Sequence, residues 1–144
     1  MKKMLLFAGL SFLATLCLVF AQKKTAPAAS DIDLTRFNTT MMYSQLFNML
    51  VEPERYEGKT VRMHGTFSVL EYEENGALYR TFACIVTDAS ACCAQGMEFS
   101  LKDGATYPHD YPPNGTGITI RGMYHRHEKD GYDCIELVDT VIEH

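Results

Sequence analysis

Cys92 and Cys93 stand side by side in the run Thr87-Asp88-Ala89-Ser90-Ala91-Cys92-Cys93-Ala94-Gln95-Gly96, between two strand-like segments. Adjacent thiols rarely bridge each other without strain, so the pair reads as half of a unit completed elsewhere. Cys84 and Cys134 can complete it. Four thiolates within reach of one point would hold Zn(II) tetrahedrally, or a softer ion such as Cu(I). The same thiols could form two disulfides, or leave one exposed thiol for redox exchange. The spacing is not the paired C-x-x-C of zinc ribbons or of dithiol redox enzymes. Metal binding through Cys84, Cys92, Cys93 and Cys134, with zinc as the ion, is the leading expectation.

Other donors are fewer. His125 and His127 lie two residues apart on one predicted strand, so both imidazoles face one side and could reach one ion. A solvated hairpin end, shared with Arg126, Glu128 and Lys129, is the plainer reading. His109 sits in a Pro-rich loop, His64 faces away from the apolar side of its strand, and His144 is terminal. Met41, Met42, Met49, Met63, Met97 and Met123 fall on apolar stripes and read as core filler. Glu71, Glu73 and Glu74 flank a turn, where charge is simply solvated. There is no G-x-S-x-G, no H-E-x-x-H and no phosphate-cradling glycine loop, so nothing argues for a hydrolase or transferase and no catalytic residue is assigned.

These residues need a frame. Asn38, Thr39 and Thr40 offer a helix N-cap, and Met42, Leu46, Met49 and Leu50 recur at helical spacing until Pro53. From Tyr56 onward the chain reads as strands: Thr60 to Tyr72, Leu78 to Thr87, Gln95 to Leu101, Ile118 to His127 and Tyr132 to Ile142. Asn75-Gly76 and Lys129-Asp130-Gly131 mark hairpin turns. Gly65 and Gly122 each precede an aromatic, Phe67 or Tyr124, by two residues and mark sharp strand bends. The long connection from Lys102 to Gly117 carries Tyr107-Pro108-His109-Asp110-Tyr111-Pro112-Pro113, either a partner surface or a lid. Five strands with one long connection predict a mainly β, OB-like Greek-key barrel with an N-terminal covering helix.

The amino terminus reads as an export signal. Lys2 and Lys3 precede an apolar run from Met4 to Val19, and Val19-Phe20-Ala21 fits cleavage before Gln22. Residues 1–21 are thus a signal peptide, 22–37 a flexible tether rich in Ala and Pro, and 38–144 one domain. Lipidation at Cys17 is disfavoured because bulky Leu16 precedes it. Losing Lys2 and Lys3 takes the formal charge from −5 to −7, and losing Cys17 leaves four cysteines. A net negative domain without a basic run predicts no nucleic-acid partner. Export predicts a periplasmic or extracellular location.

The run Cys84-Ile85-Val86-Thr87-Asp88-Ala89-Ser90-Ala91-Cys92-Cys93-Ala94-Gln95-Gly96-Met97-Glu98-Phe99 resembles the signature of a family of small exported bacterial proteins, some lipid-anchored. The segments Glu52 to Val61 and Tyr107 to Pro112, and the cysteine near the C-terminus, match in the same order. More distantly, Pro53-x-x-Tyr56-x-Gly58-Lys59-x-Val61 and the double cysteine are similar to the OB-like domain of accessory proteins encoded beside permeases, some linked with zinc homeostasis. The resemblance implies an OB-like barrel, attention to Cys92 and Cys93, and an envelope or transporter protein as a possible partner. The other role in view is a disulfide-stabilised module that binds such a partner.

Overall fold

The computed structural model describes residues 29–143 apart from 103 and 130. The predicted signal peptide, Cys17, the first part of the tether and His144 lie outside the described residues. The chain forms β1 (Ile32–Asp33), a 3-10 turn (Leu34–Arg36), α1 (Thr39–Val51), a second 3-10 turn (Pro53–Arg55), β2 (Thr60–Glu74), β3 (Ala77–Thr87), β4 (Ala94–Leu101), β5 (Gly117–Lys129) and β6 (Tyr132–Glu143). Five strands were expected. The sixth, β1, is two residues long and pairs in parallel with Val61 and Arg62 of β2. It lies in the stretch predicted to be tether, and Leu34, just beyond it, is fully buried.

The helix begins where side-chain chemistry requires. Asn38 has extended backbone angles, and its Oδ1 accepts the Met41 N–H at 2.9 Å, satisfying a donor that the first turn leaves free. Met42, Leu46 and Met49 are buried, while Leu50 is exposed, so the apolar stripe is narrower than predicted. Pro53 opens the 3-10 turn that ends the helical stretch.

β2 and β3 form a hairpin from Thr66↔Ile85 to Glu74↔Ala77. Asn75 and Gly76 both have positive φ, 52° and 77°, as a two-residue turn that follows the strand twist needs. The first half of β2 pairs with β5, from Thr60↔Met123 to Thr66↔Gly117. The order β1-β2-β3-β4-β6-β5, with β5 returning to β2, closes the sheet on itself. β4 and β6 run parallel, and every other pair in the ring is antiparallel.

Two glycines make the closure possible. Gly65 sits where β2 changes partner, and a Cβ there would lie 2.8 Å from Cys84 Sγ and against the Ile85 carbonyl. Gly122 sits at the register shift between Arg121 and Met123. A Cβ there would meet Thr140 Oγ1 and come within 2.9 Å of Leu137 Cβ.

The core holds Val61, Met63, Phe67, Cys84, Val86, Met97, Phe99, Ile120, Tyr124 and Leu137, with the buried face of α1 against it. Met42, Met49, Met63 and Met97 are at most 1% exposed, in keeping with their reading as core filler, whereas Met41 and Met123, read the same way, are exposed. α1 covers the Tyr124 end, where the Tyr124 hydroxyl donates to the Met49 carbonyl at 2.6 Å. At the Phe67 end, Tyr111 stacks on Phe82 with centroids 4.1 Å apart and lies 5.9 Å from Phe67. Of the two roles considered for the Tyr107–Pro113 segment, the packing is that of a lid.

Candidate metal centre

β3 ends at Thr87 and β4 begins at Ala94, and these two residues are register partners. The connection between them is Asp88 to Cys93. It is closed at its base by the Asp88 N–H donating to the Cys93 carbonyl at 2.9 Å. The Ala91 N–H donates to the Asp88 carbonyl at 3.0 Å, and Ala91 turns through a left-handed φ of 55°. That reversal brings the vicinal cysteines back over the aspartate.

The Asp88 carboxylate organises the loop. Oδ1 accepts the N–H of Cys92 at 3.0 Å and of Cys93 at 3.4 Å. Oδ2 accepts the Ser90 hydroxyl at 3.0 Å and the Cys92 thiol at 3.2 Å. An aspartate accepting backbone N–H groups a few residues ahead is a local turn-former by chemistry alone. The two sulfurs stand 3.6 Å apart. One donor atom from each of Asp88, Cys92 and Cys93 lies within 4.8 Å of the others, and both cysteines are exposed.

These spacings match the bite of a tetrahedral ion. With metal–sulfur bonds of about 2.3 Å, sulfurs 3.6 Å apart subtend about 100° at the metal. The 3.2 Å from Cys92 Sγ to Asp88 Oδ2 gives an angle of about 95° with a metal–oxygen bond near 2.0 Å. A disulfide would need the sulfurs at about 2.05 Å.

The electrostatics follow from the same contacts. The Cys92 thiol beside it, then Ser90 and the backbone N–H groups, hold the Asp88 carboxyl below the usual carboxylate range. The Cys93 thiol is pushed up by its contact with Cys92 and by the Asp88 charge. Without a cation, the same contacts favour the charged Asp88 carboxylate and the protonated Cys93 thiol. A cation reverses that balance, because it stabilises thiolates directly.

The other predicted donors lie elsewhere. Cys84, on β3 opposite Phe67 and Met97, is fully buried, and burial pushes its thiol up to about 12. Cys134 is half-buried on β6 opposite His127. Neither joins the group at the loop, and the four cysteines among the described residues are free thiols. His64 is exposed on β2, and exposed His109 contacts the neighbouring Asp110 at 2.9 Å. Asp88 was not singled out from the sequence. The signal was available: an aspartate two residues before a serine and four before a cysteine pair is spaced to accept from all of them.

No protein-family model matches the chain, and neither does any curated protein. Among solved structures, the chain is similar to a candidate nucleic acid-binding lipoprotein from Klebsiella pneumoniae, with 17% identity over 71% of this chain and 88% of that one and a TM-score of 0.48. It is also similar to the N-terminal domain of the PriB protein from Thermoanaerobacter tencongensis, with 17% identity over 58% and 94% and a TM-score of 0.33. A third is the OB domain of Ta0387 from Thermoplasma acidophilum, with 16% identity over 58% and 73% and a TM-score of 0.30. One expectation is corrected here. The exclusion of nucleic acid rested on a net negative charge and the lack of a basic run, and a chain similar to a protein named as nucleic acid-binding does not support it. Net charge averages over the whole surface, whereas a binding face is local. Among the described residues, no helix is long and apolar enough to cross a membrane.

Proposed function

We propose that this is an exported, OB-like barrel whose role is to bind a thiophilic or borderline metal ion, zinc foremost, at Cys92, Cys93 and Asp88. The observation that carries the reading is the gathering of two thiols and a carboxylate within 4.8 Å on an exposed, internally braced loop. The OB-like reading draws support from the ring order β2-β3-β4-β6-β5 and its parallel β4–β6 pair. Export draws on the amino-terminal pattern and on the resemblance of the double-cysteine motif to small exported bacterial proteins.

Three protein donors leave a fourth position for water or for a donor from another molecule. A closed four-thiolate site holds its ion as a structural element, whereas an open one allows exchange. The loop is therefore better suited to cargo than to a structural ion, and an envelope or transporter protein is the natural recipient. Two thiolates select zinc or copper over magnesium or calcium. Cys84, buried and neutral, is left out of the set.

The test is a titration of the mature, untagged, reduced protein with Co(II) and Zn(II) against a chromophoric chelator. One ion should bind at the loop with a thiolate-to-cobalt charge-transfer band. Cys92→Ser or Cys93→Ser should weaken it about a hundredfold, and Asp88→Asn about tenfold. No uptake by the wild-type protein, or uptake unchanged in the Cys92→Ser/Cys93→Ser double variant, would overturn the reading.

A further inference from the structure

The Cys92 and Cys93 sulfurs stand 3.6 Å apart, in contact with each other, and both side chains are exposed. Other thiols are kept away from them. Cys84 lies three residues inside the base of the loop, about 10 Å back along β3, and is fully buried. Cys134 is on β6 opposite His127, outside the group that the loop gathers. Within the molecule, oxidation of this loop therefore has one bond in reach, the bond between the two neighbours themselves.

That bond differs from a structural disulfide. Cα atoms joined by a trans peptide are about 3.8 Å apart, closer than the roughly 4.4 to 6.8 Å that ordinary bridges span. Closure also requires the sulfurs to approach by about 1.5 Å, to a bond of about 2.05 Å. The backbone is held while they do so, because Asp88 Oδ1 accepts both cysteine N–H groups and the Asp88 N–H donates to the Cys93 carbonyl. A bridge closed under strain at an exposed position is easily reduced again, and bridges of that kind switch rather than staple. Strain thus counts against a permanent bond here and for a reversible one.

We propose that Cys92 and Cys93 form a reversible dithiol–disulfide switch, oxidised by an external disulfide, whose closure empties the ion site at the loop. The switch rests on the metal reading above and adds its regulation. One cysteine sulfur attacks the external disulfide, forming a mixed disulfide and expelling one external thiolate, which takes the proton given up by that cysteine. The second cysteine, already in contact, attacks the first one's sulfur. The vicinal bond forms, the mixed bond breaks, and the second external thiolate leaves with the second proton. Two electrons pass from the protein to the external disulfide, which becomes two thiols. Since the thiolate is the metal ligand, closure removes both sulfur donors and leaves Asp88 alone. The export predicted from the amino terminus would place this loop where disulfide oxidants occur.

The experiment treats the reduced, untagged mature protein with oxidised glutathione, once metal-free and once loaded with Co(II), then alkylates the remaining thiols under denaturing conditions and maps them by mass. The Cys92–Cys93 peptide should become lighter by two hydrogens, with Cys84 and Cys134 alkylated. In the loaded sample the thiolate-to-cobalt band should be lost in step with closure, and excess reduced glutathione should restore both. Cys92→Ser and Cys93→Ser should each keep glutathione as a lasting mixed disulfide, because the resolving thiol is gone. Both positions are exposed, so neither variant threatens the core. A pair that stays free, a lasting mixed disulfide in the wild-type protein, a bridge between molecules, or cobalt retained after closure would overturn the switch. Absence of a cobalt band before glutathione is added would overturn the metal reading instead, so the two failures are told apart.

Discussion

Replacing Tyr124 by Phe removes one oxygen from the interior and nothing else. The ring is fully buried and packs 5.9 Å from Tyr56, contacts that Phe keeps, so no cavity term enters. The hydroxyl donates at 2.6 Å to the carbonyl of Met49, which lies in the last turn of α1 where carbonyls have no intrahelical partner. The variant thus leaves a buried acceptor unsatisfied, at a cost of about 2 kcal/mol. With an unfolding entropy near 2.1 cal/mol/K per residue over roughly 115 residues, that cost lowers Tm by about 8 °C. Calorimetry and urea unfolding on the apo protein measure it, with an unchanged urea m-value as the check that stability alone has moved. Tyr56→Phe is the control, because the Tyr56 hydroxyl accepts from the partly buried Gln45 amide at 3.1 Å. Its loss should stay below about 0.5 kcal/mol. If Tyr124→Phe costs no more than Tyr56→Phe, the hydroxyl does not tie α1 to the barrel and the covering role of the helix rests on apolar contact alone.

Two further outcomes follow from the fold. Gly122→Ala forces a methyl group against Thr140 Oγ1 and Leu137 Cβ and should cost about 2 kcal/mol, whereas Gly117→Ala, with open space around it, should cost far less; equal melting temperatures would refute the close approach. The Thr35 hydroxyl, followed by its N–H and by Arg62, holds the Asp33 carboxyl below its ordinary value of 3.8. A carboxyl depressed by folding contributes stability above its unfolded pKa and loses it as pH falls through the folded one. Asp33→Asn should therefore destabilise by about 1 kcal/mol near neutral pH, with the difference shrinking below pH 3.8. A difference that persists undiminished near pH 2 would show that packing, not charge, is at stake.

What the sequence made legible was local. Asn38 caps α1, Asn75-Gly76 turns the hairpin, and Gly65 and Gly122 mark close approaches, because each is decided by a residue's own backbone or side-chain chemistry. Beyond the two hairpins, pairing was not legible, since a strand's other partners lie far away in sequence. Ile32 and Leu34 read as tether because only β2 and the core, decades of residues later, give them a place. Phe82, Cys84 and Val86 alternate with Ala83 and Ile85, apolar on both sides, so periodicity could not say that Cys84 faces inward. The His127↔Cys134 pairing depends on the turn between Lys129 and Tyr132, and a one-residue slip would send Cys134 to the other face.

That pairing bears on how the thiols divide. A single four-thiolate centre would draw on Cys84, whose sulfur lies so close to the Gly65 backbone that no Cβ fits between them. Burial lifts its thiol from 9.0 to about 12. Ionising it is therefore harder than for an ordinary cysteine by about 4 kcal/mol. Any ion reaching it must also enter the core between β2, β3 and β4. Cys92 and Cys93 are not buried in this way: they are exposed and already spaced for a tetrahedral ion. Cys134 sits opposite His127 across its own hairpin. The fold thus favours a division of labour: one thiol for packing, two for the loop beside Asp88, and one for the outer face of β5 and β6.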